Sequence, residues 1–319
     1  MDRPVEGVGL LPTPFENEKL RLAYVLVGMT WVLLVFGSTV RVFRAGLACP
    51  DWPLCYGQVV PAWDFQVWLE FGHRAYAGSI SLLFAALAWQ LSRSDVWPRV
   101  RGAVAFAAGA LALQVVLGGL TVLELLAEWT VASHLLVGNT FCASLLWIAL
   151  RASPVADPEH RASPALQGLA ALLLVAIPVQ MALGGLLSAS EGALVCPAWP
   201  TCDGTNWFPT WSGVVGLHLM HRTMGYSVAL LALGVAFGMR SAGAAGRPAA
   251  LVLAGVFVQV ALGITNILAL RPVPVTLAHS GTAALLVLAT TWLLHSLTYG
   301  PVVVGRATAL RAPASLEVA

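Results

Sequence analysis

Two short runs of this chain carry residue types from which a reactive site can be built. Glu70, His73 and Arg74 form E-x-x-H-R, and His218, His221 and Arg222 form H-x-x-H-R 148 positions later. Each run follows a cysteine pair of matching spacing, Cys49 and Cys55 in CPDWPLC and Cys196 and Cys202 in CPAWPTC, with corresponding cysteines 147 positions apart. The copies differ at one chemically loaded place, where His218 stands in for Glu70. Residues three apart share a helix face, so Glu70 can accept or deliver a proton beside whatever His73 holds. The plainer alternative is that it pairs with Arg74. His218 offers no carboxylate, so the first copy is expected to do proton-coupled chemistry and the second to carry electrons.

Two more histidines repeat: His134 and His279 are offset by 145, and so are Gln114 and Gln259. An ionisable side chain inside an apolar run is costly enough to suggest function. Two pairs, His73 with His134 and His221 with His279, suit a flat metal macrocycle held between helices, because neutral imidazole is a standard axial ligand of haem iron. The structural alternative is interhelical hydrogen bonding. A bare zinc or copper ion asks for three or four close ligands, and no Cys, Asp or further His joins either pair within the apolar runs. There is no C-x-x-C-H, so a haem would not be attached covalently in the c-type manner. His160 and His295 have no counterpart in the repeat.

Arg74 and Arg222 directly follow their histidines, and a guanidinium fork there suits a haem propionate. A structural ion pair or a lipid headgroup are the alternatives. The cysteine pairs flank Pro and Trp residues that favour a turn, and on an oxidising side of a membrane two intraloop disulfides are favoured over thiolate metal binding. A redox role for the first pair stays open. Cys142, in an apolar run, reads as a packing residue.

These side chains must be positioned by membrane helices. Hydrophobic residues make up 58% of the chain and charged ones only 10%, and the mean hydropathy is +0.81, which excludes an ordinary soluble domain. Apolar segments near 20–41, 66–91, 102–124, 129–150, 165–188, 212–239, 249–270 and 275–298 predict eight spans. The expected fold is an all-α integral membrane protein in which two tandem four-helix bundles are related by a pseudo-twofold axis along the membrane normal. Its parts are an N-terminal tail (1–19), a first half (20–150), a linker (151–164), a second half (165–298) and a C-terminal tail (299–319). The tail 1–19 reads neither as a signal peptide nor as a transit peptide.

With both termini cytoplasmic, twelve Lys and Arg fall inside and three (Arg41, Arg44 and Arg271) in outside loops. The cysteine loops are then extracytoplasmic and all four paired histidines lie in the outer half of the bilayer. LQVVLGGLTVL and VQVALGITNIL recur in the third and seventh spans, and VQMALGGLL in the fifth reads as a small-residue face for close helix packing. No basic-aromatic cluster suggests nucleic acid.

E-x-x-H-R in the second span, C-x5-C loops in both halves, H-x-x-H-R in the sixth span and histidines opening the fourth and eighth together resemble haem A synthase, over roughly 20–298. The resemblance implies successive hydroxylations that oxidise the C8 methyl group of haem O to a formyl group, giving haem A for cytochrome oxidase in a bacterial cell membrane. It implies that Glu70, His73 and His134 serve the haem O site, that His221 and His279 ligate a resident haem b, and that all four histidines are axial ligands of iron. It also implies that Cys49–Cys55 bears on activity and that Cys196–Cys202 is a structural disulfide. Haem O synthase and cytochrome oxidase assembly factors are the implied partners beside membrane lipid, and homo-oligomerisation is left open. The rival reading is a diheme b-type membrane cytochrome for quinol-linked electron transfer, which needs no Glu70; a haem-handling chaperone or exporter is a third.

Overall fold

The computed structural model describes residues 14–154, 162–240 and 246–300. Eight α-helices follow one another: α1 (Pro14–Val42), α2 (Phe65–Ser92), α3 (Trp97–Leu123), α4 (Glu128–Ala152), α5 (Pro164–Ala189), α6 (Gly213–Gly238), α7 (Arg247–Leu268) and α8 (Val273–Tyr299). No strand occurs among the described residues. His160, in the linker, lies outside them.

Seven of the eight helices are long and apolar enough to cross a membrane. The exception, α6, is as long as its neighbours but carries His218, His221 and Arg222 within its first three turns, which lowers its hydropathy. The predicted eighth-of-a-set regularity is thus broken by the same residues that suggest function. The helices match the predicted segments to within a few residues except that α1 and α3 begin about a turn or more earlier, at Pro14 and Trp97.

Helix starts are marked in the sequence. Asp64 caps α2, its carboxylate accepting from the N–H groups of Gln66 and Val67 at 3.0 Å each. Ser163 caps α5, and proline occupies the first turn of α3, α5, α7 and α8, where no backbone donor is lost to the helix. One buried cluster draws on α1 to α4 through residues such as Leu26, Leu87, Val100 and Leu145. Another draws on α5 to α8 through Leu173, Val235, Val252 and Leu293. α1, α4, α5 and α8 also pack on one another across these groups.

Both apolar clusters sit away from the cysteine loops, leaving the loop end of the bundle to the polar residues. His73 and His221 each stand eight residues in from the first residue of α2 and α6, about 12 Å along the axis. His134 and His279 each stand six residues in from the start of α4 and α8, about 9 Å. At the opposite end His295 is fully buried, its ring edge-on to Trp147 and beside Tyr299.

Candidate functional site

Each cysteine loop is closed by a disulfide, Cys49–Cys55 with Cα atoms 4.7 Å apart and Cys196–Cys202 with 4.3 Å. The two loops share further backbone detail, including a cis Trp–Pro bond at Trp52–Pro53 and at Trp199–Pro200. Each loop is fastened to the helix that follows it by an arginine. Arg74 donates to the carbonyls of Asp51 (2.8 Å), Leu54 (2.7 Å) and Cys49 (3.2 Å). Arg222 donates to those of Thr201 (3.0 Å), Cys196 (2.9 Å) and Ala198 (2.9 Å).

The sequence expects Arg74 and Arg222 at haem propionates; the contacts they make here are with the loops. In both copies the guanidinium is turned toward loop carbonyls, the one acceptor set that the spacing of the motif does not reveal. The Nε of Arg222 remains buried without a partner.

Glu70 is buried, and its carboxylate accepts from the Cys49 N–H at 2.8 Å and forms an ion pair with Arg74. The pairing left open by the sequence is therefore made, and the bond from the Cys49 N–H ties α2 to the disulfide. In the second copy His218 stands with Nδ1 3.4 Å from the Gly192 carbonyl, in the segment that leads to Cys196. The same place in the two copies thus joins helix to loop by a carboxylate in one and an imidazole in the other.

The four repeated histidines share one environment. Each ring lies against a glycine of a neighbouring helix: a Cβ at Gly37, Gly118, Gly184 or Gly263 would fall 3.1, 3.3, 2.9 or 3.3 Å from Cε1 of His73, His134, His221 or His279. At Gly184 an added Cβ would force the ring aside, and at the other three it would be tight. His134, His221 and His279 each have a glutamine one turn before that glycine, with Gln114, Gln180 and Gln259 Nε2 at 3.3, 3.4 and 3.3 Å from the imidazole Nε2. His73 has none, because Leu33 occupies the corresponding place on α1; Phe36 packs edge-on to its ring instead.

His73 lies near enough to His134, and His279 to His221, for their charges to interact. Buried polar atoms are normally hydrogen-bonded. Here the Nδ1 atoms of all four histidines and the Oε1 atoms of the three glutamines are buried without a protein partner. A set of orphan atoms repeated at equivalent places fits imidazoles whose partner is a ligand. Among the described residues no three His, Cys, Asp or Glu side chains approach closely enough to hold a bare metal ion. A haem iron brings four nitrogens of its own and asks the protein for only one or two, which is what each pair offers.

A family model described as cytochrome oxidase assembly protein (COX15-CtaA) matches residues 20–291. A haem A synthase of Shewanella oneidensis is 30% identical, the alignment covering 81% of this chain and 90% of that protein. The chain belongs to the haem A synthase family. Two further haem A synthases, from Rhizorhabdus wittichii and a Methylobacterium species, are 27% and 30% identical, covering 90% and 83% of this chain and 96% and 88% of their own lengths.

Three features of this family member went unread in its sequence. The Q-x-x-x-G of VQMALGGLL, taken for a packing face, is Gln180 and Gly184 and carries His221; the same spacing in Gln114–Gly118 and Gln259–Gly263 was the signal. Leu33–Gly37 breaks that pattern on α1. Arg41, counted as an outside-loop charge, lies in the last turn of α1 and donates to Ser188 Oγ of α5.

Proposed function

We propose that this protein is a haem A synthase, an oxidoreductase that converts the C8 methyl group of haem O to a formyl group by successive hydroxylations. The observation that carries the reading is the matched pair of histidine sites whose departures from symmetry, Glu70 and Leu33, both fall beside His73. Its support is the family membership together with the orphan imidazole and amide atoms at both pairs.

In this reading the eight helices all span the membrane as two four-helix halves, with the cysteine loops on the extracytoplasmic face. His73 and His134 hold haem O in the first half. Gly37 and Gly118 set the two imidazoles, and Leu33 stands where the other three histidines have a glutamine. Glu70, held by Arg74 and the Cys49 N–H, receives protons released from the methyl carbon. The disulfide loop, clamped by Arg74, roofs this pocket, and the Trp52 ring lies against Gly119 next to the glycine that supports His134, excluding water from the reacting edge.

His221 and His279 hold a resident haem b in the second half. When bound, that haem supplies a one-electron carrier for the electrons that oxidation of a methyl group releases. Gln180 and Gln259 fix the ring planes of its ligands from the second layer, in the manner of outer partners at metal sites. Haem O synthase is the reaction partner that supplies the substrate, and assembly of cytochrome oxidase consumes the product.

The test is incubation of the purified full-length protein with haem O followed by extraction and chromatography of the pigments. Hydroxylated haem or haem A is expected. Haem O recovered unchanged, from protein shown to have bound it, would overturn the assignment.

A further inference from the structure

Two arginines at the cysteine-loop end have no carboxylate to balance them. Arg41 donates from Nη1 to the neutral hydroxyl of Ser188. Arg271, in the turn between α7 and α8, has a left-handed backbone (φ 62°) and its N–H bonds the Asn266 carbonyl at 2.7 Å, which fixes the point from which its side chain departs. Ser188 stands one turn of α5 beyond Gly184, the glycine against His221, and Arg271 stands two residues before α8, which carries His279, so both arginines sit at the loop end of that pair, near enough for their charges to interact. Both residues are half-buried. Among the described residues the sole ion pair is Glu70–Arg74. Two like charges drawn together where water is partly excluded repel, and the arrangement is favourable once an anion lies between them.

The repeat sharpens this. The counterpart of Arg41 is Ser188, at the 147-residue offset of the cysteines, and the counterpart of Arg271 is Leu126, at the 145-residue offset of His134 and His279. Leu126 lies against Gly46 in the lead-in to the first cysteine loop. Because Arg41 reaches across to α5, it and Arg271 both stand at the loop end of the second half, and the pseudo-equivalent place of the first half has Ser188 and Leu126, a hydroxyl and a hydrocarbon. Arg74 and Arg222, present in both copies, are occupied by loop carbonyls and do not account for the difference.

We propose that Arg41 and Arg271 form a carboxylate clamp for the propionates of the haem held between His221 and His279, with Arg41 supplied by the first half of the chain. The inference rests on the assignment of a resident haem to that pair. It gives the two pockets different grips: the second retains its dianionic haem by charge, and the first, with Ser188 and Leu126 at the equivalent place, lets haem pass.

The test compares haem b with its dimethyl ester, which keeps the iron and the macrocycle but has no carboxylates. Full-length protein prepared from haem-deficient cells is titrated with each, in detergent free of added lipid, and affinity is read from the absorbance change. The expected result is about tenfold tighter binding of haem b than of the ester, from loss of a charge-assisted contact, and no discrimination by the Arg41→Gln/Arg271→Gln double variant. Arg41→Lys is expected to restore part of the preference. A fall in the midpoint potential of bound haem b in the double variant is expected as well, because unbalanced propionates favour ferric iron.

Equal discrimination by wild type and double variant overturns the clamp. So does a difference that appears only when anionic lipid is added, which would assign the arginines to a lipid phosphate. The wild-type comparison needs no variant to fold. Retention of haem b in both His221→Ala and His279→Ala would instead refute the assignment of the haem to that pair, an outcome separate from failure of the clamp.

Discussion

Replacing Gly184 by alanine tests whether the glycines position the histidines. The new Cβ would lie 2.9 Å from Cε1 of His221 and 3.4 Å from its Nδ1. Ordinary carbon contact begins near 3.4 Å, so the ring must withdraw by roughly 0.5 Å. Metal–ligand distances hold to within about 0.2 Å, so a ring displaced by this much would no longer present its nitrogen where an iron needs it. Overpacking of this kind costs about 1–3 kcal/mol, which lowers haem affinity by about ten- to hundredfold. Gly263→Ala, with its Cβ at 3.3 Å from Cε1 of His279, needs only a slight adjustment and should retain nearly all haem. Gly168→Ala on α5 meets nothing within 4 Å and serves as the control for an added methyl group. Haem b per protein, read from the pyridine haemochrome spectrum of detergent-purified variants, should fall in the order Gly168→Ala, Gly263→Ala, Gly184→Ala. Full haem b in Gly184→Ala with an unaltered spectrum would falsify the positioning role, as would a larger loss in Gly263→Ala.

Two other outcomes are expected. Glu70→Gln removes the acceptor for protons while keeping the shape of the side chain, so haem O should remain unconverted while haem b stays bound in the second half; loss of that haem b too would refute the division of labour between the halves. In the second loop, hydrogen bonds from the Asn206 side chain and from the N–H groups of Asn206 and Thr205 hold the Asp203 carboxyl well below its usual range. Because the folded value is depressed, the stabilisation it gives is present at neutral pH and is lost as the pH falls below about 4. Protease cleavage within 203–206 should therefore rise on acidification below that point, and Asp203→Asn should remove this acid dependence; an unchanged profile would refute it.

How much of this was legible follows from what each signal encodes. Hydropathy records the solvent of a segment, and it located all eight helices, α6 included, although His218, His221 and Arg222 interrupt an otherwise apolar run there. The fixed offsets recorded pairing, so His73 with His134 and His221 with His279 could be expected before any fold was known. Direction was not recorded. Arg74 and Arg222 lie beside their histidines in sequence, yet a helix turns successive residues by about 100°, and the carbonyls they meet exist only once the loops are closed. Gln180 was hidden for a related reason: just ahead of Ala182 and Gly184 it reads as one polar residue in a packing stripe, and its meaning depends on a ring from α6. Arg41 was counted for its charge alone, and a charge count is silent on what the guanidinium reaches.

The contact between Arg41 and Ser188 has one more consequence. These two positions are each other's counterpart in the duplicated sequence, and they touch. In an assembly of two identical four-helix chains such a meeting place must hold the same residue twice: two arginines would repel, and two serines would lend no cation to either side. A mixed pair requires that the two copies be able to diverge, which covalent fusion in a single chain permits. The link between the halves therefore does more than hold them together, since it is what allows one haem site to be furnished at the expense of the other.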